Sequence, residues 1–263
     1  MTFINELNPL LVVFLCVCFN WFTTLIGSLL VLFVKGENKK LVCMALGVAA
    51  GIMIAASFFS LLLPAKEQLE SMSKIHLTIL PLGFLCGAGF LRLCDKFLPH
   101  EHLMSQDVEG LPSSFSKSKL LMLAMTLHNI PEGLAVGVAF AGCINGNLLP
   151  AFILSIGIGI QNFPEGTAIS LPMHQSGKTK FQAIMYGQFS GIVEIPSALI
   201  GYFFATLING ILPFALSFAA GAMMFVCIED LIPEANSTSD IDIGTMSCIA
   251  GFLIMMALDV LLS

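Results

Sequence analysis

Two six-residue strings concentrate the chemistry of this chain: His128-Asn129-Ile130-Pro131-Glu132-Gly133 and Gln161-Asn162-Phe163-Pro164-Glu165-Gly166. Helical positions four apart share a face one turn apart, so His128 stands over Glu132 and Gln161 over Glu165. Proline lacks an N–H and presses on the carbonyl four residues earlier. Pro131 and Pro164 should therefore free the oxygens of Leu127 and Ile160 and kink their helices. Gly133 and Gly166 should let the two helices approach closely. A third acid follows in Ser190-Gly191-Ile192-Val193-Glu194-Ile195-Pro196. Imidazole, amide and carboxylate donors suit borderline divalent ions such as Zn²⁺, Fe²⁺ or Mn²⁺, and the lack of a thiolate disfavours Cu⁺. Candidate ligands are His128, Asn129, Glu132, Gln161, Asn162, Glu165 and Glu194. For Asn129 and Asn162, capping of the freed carbonyls fits as well as ligation.

The elements that must carry these residues are membrane helices. Of 263 residues 57% are hydrophobic and 11% charged, with mean hydropathy +0.92. Soluble domains carry about 45–50% apolar and about 25% charged residues. That difference excludes a soluble enzyme, a nucleic-acid binder and a disordered chain. A helix needs about 20 apolar residues to cross the hydrocarbon core. Eight stretches qualify, at about 9–34, 41–63, 75–95, 120–142, 148–172, 181–208, 211–232 and 244–262. They form one transmembrane domain over 1–263, and the one long connection, about 96–119, is polar and Ser-rich. The first stretch does not read as a cleavable signal, because it is long and is preceded by Glu6 rather than a basic region.

Basic residues set the orientation. Nine of the 11 fall in loop 1–2, at the end of helix 3 and in loops 3–4 and 5–6, against Lys66 and Lys74 in loop 2–3. Both termini are thus expected outside or in a lumen, with the long loop cytoplasmic. Glu229 and Asp230 then lie toward the cytoplasmic end of helix 7, as an exit site or a solvated helix end. His100-Glu101-His102 reads as surface residues, with a weak metal-receiving patch as the alternative. The eight cysteines lie mostly inside apolar segments without a CxxC pair, and read as buried apolar residues.

Glu132, Glu165 and Glu194 sit near the middle of apolar segments, where ionisable groups are functional by default. No Lys or Arg is placed to neutralise them, which favours a visiting cation. These three account for half of the net charge of −6. The two N-x-P-E-G strings, and Ala49-Ala50-Gly51-Ile52-Met53 against Ala219-Ala220-Gly221-Ala222-Met223, mark an internal repeat. Each pair runs in opposite directions through the membrane. The fold expected is an all-α polytopic membrane protein, eight helices in a 3+2+3 inverted-repeat bundle, which is a transporter signature.

HNIPEG in helix 4, QNFPEG in helix 5 and SGxxE in helix 6 resemble the ZIP family of divalent-metal transporters. The Gln in helix 5, the AAGxM pair and the short loop 3–4 are closest to its GufA-type subfamily. The resemblance implies a homodimeric carrier moving Zn²⁺, and Fe²⁺, Mn²⁺ or Cd²⁺, toward the cytoplasm by alternating access. It implies that helices 1, 4, 5 and 6 shift against the others, and it maps the metal site onto the seven candidates above. Some members hold two metals with an acid beside the helix-5 Gln. Asn162 stands there in this chain, so a second metal would gain less charge stabilisation. Metal would be cargo rather than cofactor, and its binding should compete with protons. The partners are the ion, the bilayer and a second copy, with no nucleic acid. No G-x-x-x-x-G-K-[ST] loop is present, so ATP is not expected to drive transport. The rivals are a cation channel on the same site and an intramembrane metalloenzyme. The enzyme reading lacks an H-E-x-x-H motif.

Overall fold

The computed structural model describes residues 8–34, 38–70, 74–98, 100–101, 108–109, 117–143, 147–208, 210–238 and 241–262. It is built of long helices: α1 (Pro9–Leu32), α2 (Lys39–Glu70), α3 (Lys74–Phe97), α4 (Lys117–Gly142), α5 (Leu149–Gln175), α6 (Lys180–Leu207), α7 (Leu212–Ala235) and α8 (Ile241–Leu262). Six of these, all but α4 and α5, are long and apolar enough to cross a membrane by length and composition. At 26 and 27 residues, α4 and α5 match the others in length. The polar side chains of their two motifs lower their mean hydropathy. The loop after α3 departs from the all-helical expectation. There β1 (His100–Glu101) pairs antiparallel with β2 (Val108–Glu109). His102 lies outside the described residues.

Local chemistry fixes the helix ends. Asn8 caps α1, its side chain accepting from the Leu10 N–H at 3.0 Å, and Asn38 caps α2 through the Leu41 N–H at 3.1 Å. Thr179 and Gln182 form a reciprocal capping box at the start of α6. Two long helices absorb a proline through a wider turn. In α2 a π-helical turn over Ala56–Leu62 precedes Pro64, and in α7 one over Cys227–Leu231 precedes Pro233. The expected second segment stopped at 63, before Pro64. The wide turn takes up the carbonyl that this proline cannot satisfy, and the helix continues to Glu70.

The packing repeats itself. Helix pairs in close contact include α2 with α8 and α3 with α7, α1 with α5 and α4 with α6, and α2 with α5 and α4 with α7. These pairs map onto one another when α1–α3 are exchanged with α6–α8 and α4 with α5, whereas α5 packs on α6 more closely than α1 does on α4. Individual contacts obey the same exchange. Gly51 lies on the Cys248 backbone and Gly251 on Val48, while Gly221 lies on Phe84 and Gly87 on Phe218. Val48 and Gly51 stand 170 residues from Phe218 and Gly221, and Phe84 and Gly87 stand 164 from Cys248 and Gly251. Such backbone-to-backbone contact requires glycine on one side. The central α2 and α7 are largely buried, whereas α3 and α8 turn most of their apolar surface outward. Leu85, Leu93, Met246 and Leu261 on those outer helices are exposed, as lipid-facing residues would be.

Candidate metal centre

All seven candidate ligands are buried, none above 7% exposure, and they occupy the region where α4, α5 and α6 meet. His128, Asn129 and Glu132 come from α4, Gln161, Asn162 and Glu165 from α5, and Glu194 from α6. Neither Pro131 nor Pro164 ends its helix; α4 and α5 are continuous through them. A break in the helical run comes in α6. Its first part stops at Gly191, Ile192 and Val193 form a turn, and Glu194 opens the second part. Pro196 has no N–H to offer Ile192, whose carbonyl accepts from the Ile195 N–H at 3.3 Å. Glu194, expected within an unbroken span, therefore sits at the positive end of a half-helix.

The glycines sit at tight helix contacts, but with other helices than expected. A Cβ on Gly133 would strike the Glu194 backbone and the Ser197 hydroxyl on α6, and one on Gly166 would strike Thr24 and Ser28 on α1. The expectation that they bring α4 and α5 together is corrected: Gly133 seats α4 on α6, and Gly166 seats α5 on α1. Glu194 and Thr24 are 170 residues apart and face equivalent glycines. The repeat thus places a carboxylate on one side of the site and a hydroxyl on the other.

The donors are arranged in pairs. Gln161 Nε2 donates to Glu132 Oε1 in a short contact. Asn162 Nδ2 donates to Glu194 Oε1 at 2.7 Å and to the Asn20 carbonyl at 3.2 Å. His128 Nε2 meets Asp230 Oδ2 at 2.9 Å, which leaves Nδ1 as the ring nitrogen without a partner. Among the described residues no Lys or Arg pairs with Glu132, Glu165 or Glu194. Nor do three His, Cys, Asp or Glu side chains there form a ready-made cage. The set relies on amides as well as acids, and several donors are engaged with one another.

What remains after that pairing is unusual. Eight buried side-chain atoms among the described residues lack a hydrogen-bond partner: His128 Nδ1, Asn129 Nδ2 and Oδ1, Glu132 Oε2, Gln161 Oε1, Asn162 Oδ1, Glu165 Oε1 and Glu194 Oε2. They belong to the seven residues singled out by the sequence and to no others. Buried polar groups are ordinarily satisfied, and each orphan costs about 1–3 kcal/mol. Seven of the eight are able to donate a lone pair to a cation, Asn129 Nδ2 being the exception.

Glu229 and Asp230, paired in the sequence reading, part company here. Asp230 is buried against His128, while Glu229 is half-buried. A small cavity of about 10 Å³ beyond His128 is lined by Leu91, Asp95, Leu127, Phe225 and Asp230 among others. Asp95, buried and bonded to Arg92 Nη1 at 2.8 Å, escaped the sequence reading. Its signal was an acid three residues after a base on an otherwise apolar helix. Asn20, fully buried, escaped as well. A lone amide in the apolar run of α1 was the available sign.

A family model described as ZIP Zinc transporter matches residues 99–259. Zinc transporter ZIP11 of Xenopus tropicalis is 34% identical over an alignment covering 98% of this chain and 99% of its own. Zinc transporter GufA of Myxococcus xanthus is 34% identical, with 89% and 92% covered. Zinc transporter ZupT of Clostridium perfringens is 33% identical, with 95% and 96% covered.

Proposed function

This chain belongs to the ZIP zinc transporter family, and from that premise we propose that it carries Zn²⁺ toward the cytoplasm through His128, Asn129, Glu132, Gln161, Asn162, Glu165 and Glu194. The observation that carries the proposal is that every buried, unpartnered side-chain nitrogen or oxygen among the described residues belongs to these seven side chains. A divalent ion arriving in the site satisfies those lone pairs and neutralises carboxylates that have no basic partner. Nitrogen and oxygen donors also admit Fe²⁺, Mn²⁺ and Cd²⁺.

His128 meets the ion through Nδ1, with Nε2–H donated to Asp230. A carboxylate behind a metal-bound imidazole fixes its tautomer and raises its basicity. On this reading Asp230 first orients a ligand, and only then stands on the path beyond it with Glu229. An ion held by Gln161 Oε1 and Glu132 Oε2 draws on the same two side chains that bond to each other through Nε2 and Oε1, so loading would rearrange that contact. Such rearrangement links occupancy to conformation, as alternating access requires.

The architecture proposed is eight spans in a 3+2+3 inverted repeat, with both termini outside. Helices α4 and α5, at ~1.5 Å per residue, are each about 40 Å long and exceed the ~30 Å hydrocarbon core. The exchange symmetry of the packing supports the repeat. The family resemblance divides the bundle into α1, α4, α5 and α6 against α2, α3, α7 and α8, the two units whose relative shift would expose the site alternately. A homodimer follows from the family resemblance. Purified protein in liposomes should give saturable, slow uptake of radioactive zinc, with no unitary currents in planar bilayers. Single-channel conductance would overturn the carrier in favour of a channel.

A further inference from the structure

Helix α1 supplies none of the seven donors, yet its one fully buried amide, Asn20, lies directly behind two of them. Building on the metal-carrier reading above, we propose that Asn20 is a positioning residue that presets the Asn162–Glu194 half of the site and so biases its choice among divalent ions.

Two sets of hydrogen bonds support this. In the orientation that satisfies its amide, Asn20 Nδ2 donates to the Ser155 carbonyl at 2.9 Å and to the Cys16 carbonyl at 3.2 Å. That ties α1 to the backbone of α5 two turns before Asn162. Gly159 leaves the space: a Cβ there would stand 2.6 Å from the Phe19 ring and 3.2 Å from the Asn20 amide. The Asn20 main-chain carbonyl, in turn, accepts from Asn162 Nδ2 at 3.2 Å, and Thr23 Oγ1 bonds to the same oxygen at 2.7 Å. Asn162 Nδ2 spends its other hydrogen on Glu194 Oε1 at 2.7 Å. With both hydrogens committed, the amide cannot turn over without losing two bonds. Asn162 Oδ1 is then the prong left without a partner, and Glu194 Oε2 remains free beside it.

The chemical consequence is selective. Asn162 Oδ1 and Glu194 Oε2 are oxygen donors, whereas His128 Nδ1 lies in the other half of the site. Oxygen donors matter most to harder ions such as Mn²⁺, and imidazole matters most to Zn²⁺. Loosening Asn20 should therefore weaken Mn²⁺ more than Zn²⁺.

The test is a double-mutant cycle on the full chain, with Zn²⁺ and Mn²⁺ dissociation constants measured by calorimetry for wild type, Asn20→Asp, Glu194→Gln and the double variant. Asn20→Asp keeps the shape and replaces a donor with an acceptor facing two carbonyls. The expected result is Mn²⁺ affinity weakened about 10-fold or more, Zn²⁺ weakened less, and little further loss in the Glu194→Gln background. Equal loss for both ions, full additivity with Glu194→Gln, no effect, or no Mn²⁺ binding by wild type would each overturn the proposal. If Asn20→Asp fails to fold, Asn20→Ser, which keeps a donor, goes through the same cycle. A Glu194→Gln protein that binds both ions like wild type would instead overturn the placement of Glu194 in the metal site.

Discussion

Glu132→Gln separates the charge of the site from its shape. Glu132 is fully buried, and its Oε1 accepts from Gln161 while Oε2 has no partner. Glutamine keeps Oε1 as an acceptor and turns the orphaned oxygen into an NH₂, so the empty protein should change by less than about 1 kcal/mol. Binding should change far more. Removing a residue that merely supports a metal ligand costs about 10–100-fold, so loss of a charged ligand should cost at least about 100-fold. At a Zn²⁺ concentration about 100 times the wild-type Kd, binding adds about 2.7 kcal/mol to stability; with Kd raised about 100-fold it adds about 0.4 kcal/mol. For chains of this length, roughly 2–4 °C accompanies each kcal/mol. Zinc should then raise the wild-type Tm by about 5–11 °C and that of Glu132→Gln by about 1–2 °C. Thermal unfolding followed by size-exclusion of the detergent-solubilised protein reads both values. Equal zinc shifts in the two proteins would refute the assignment of Glu132 as a ligand. A large loss of Tm without zinc would refute the claim that the empty site tolerates the change.

Asp230→Ala removes the carboxylate behind His128 Nε2 and should weaken zinc binding about 10–100-fold while leaving the fold intact, as read by calorimetry. Gly166→Ala places a methyl group against the Thr24 backbone and should destabilise the protein by about 1–3 kcal/mol, visible as a lower Tm with or without zinc. Epitopes fused to either terminus should be reached by antibody in intact, unpermeabilised cells. Labelling of either terminus only after permeabilisation would reverse the orientation derived from the basic residues.

The seven candidate donors were legible because a membrane segment tolerates few polar residues, so each one in mid-span stands out. The same contrast identified the repeat: two copies of N-x-P-E-G are conspicuous against Leu, Ile and Phe. What the sequence hid depends on which faces meet. Periodicity places Gly133 and Gly166 on helix faces, but it cannot say that α6 and α1, rather than α5 and α4, cover them. Pro64 and Pro196 look alike as helix breakers. A wide turn carries α2 past the first, while α6 gives way before the second. Asp230 read as the end of a helix, because its partner His128 lies 102 residues away in the chain. Asn20 carried no motif at all, and the role proposed for it rests on backbone carbonyls of α1 and α5 that no residue pattern reveals.

The claim that zinc crosses through this cluster is tested most directly by radioactive zinc uptake into proteoliposomes containing wild type or Glu132→Ala. Wild type should accumulate zinc with saturable kinetics, and Glu132→Ala, folded and reconstituted to the same density, should stay near the protein-free background. Equal uptake by the two proteins would remove the midplane site from the path of the ion.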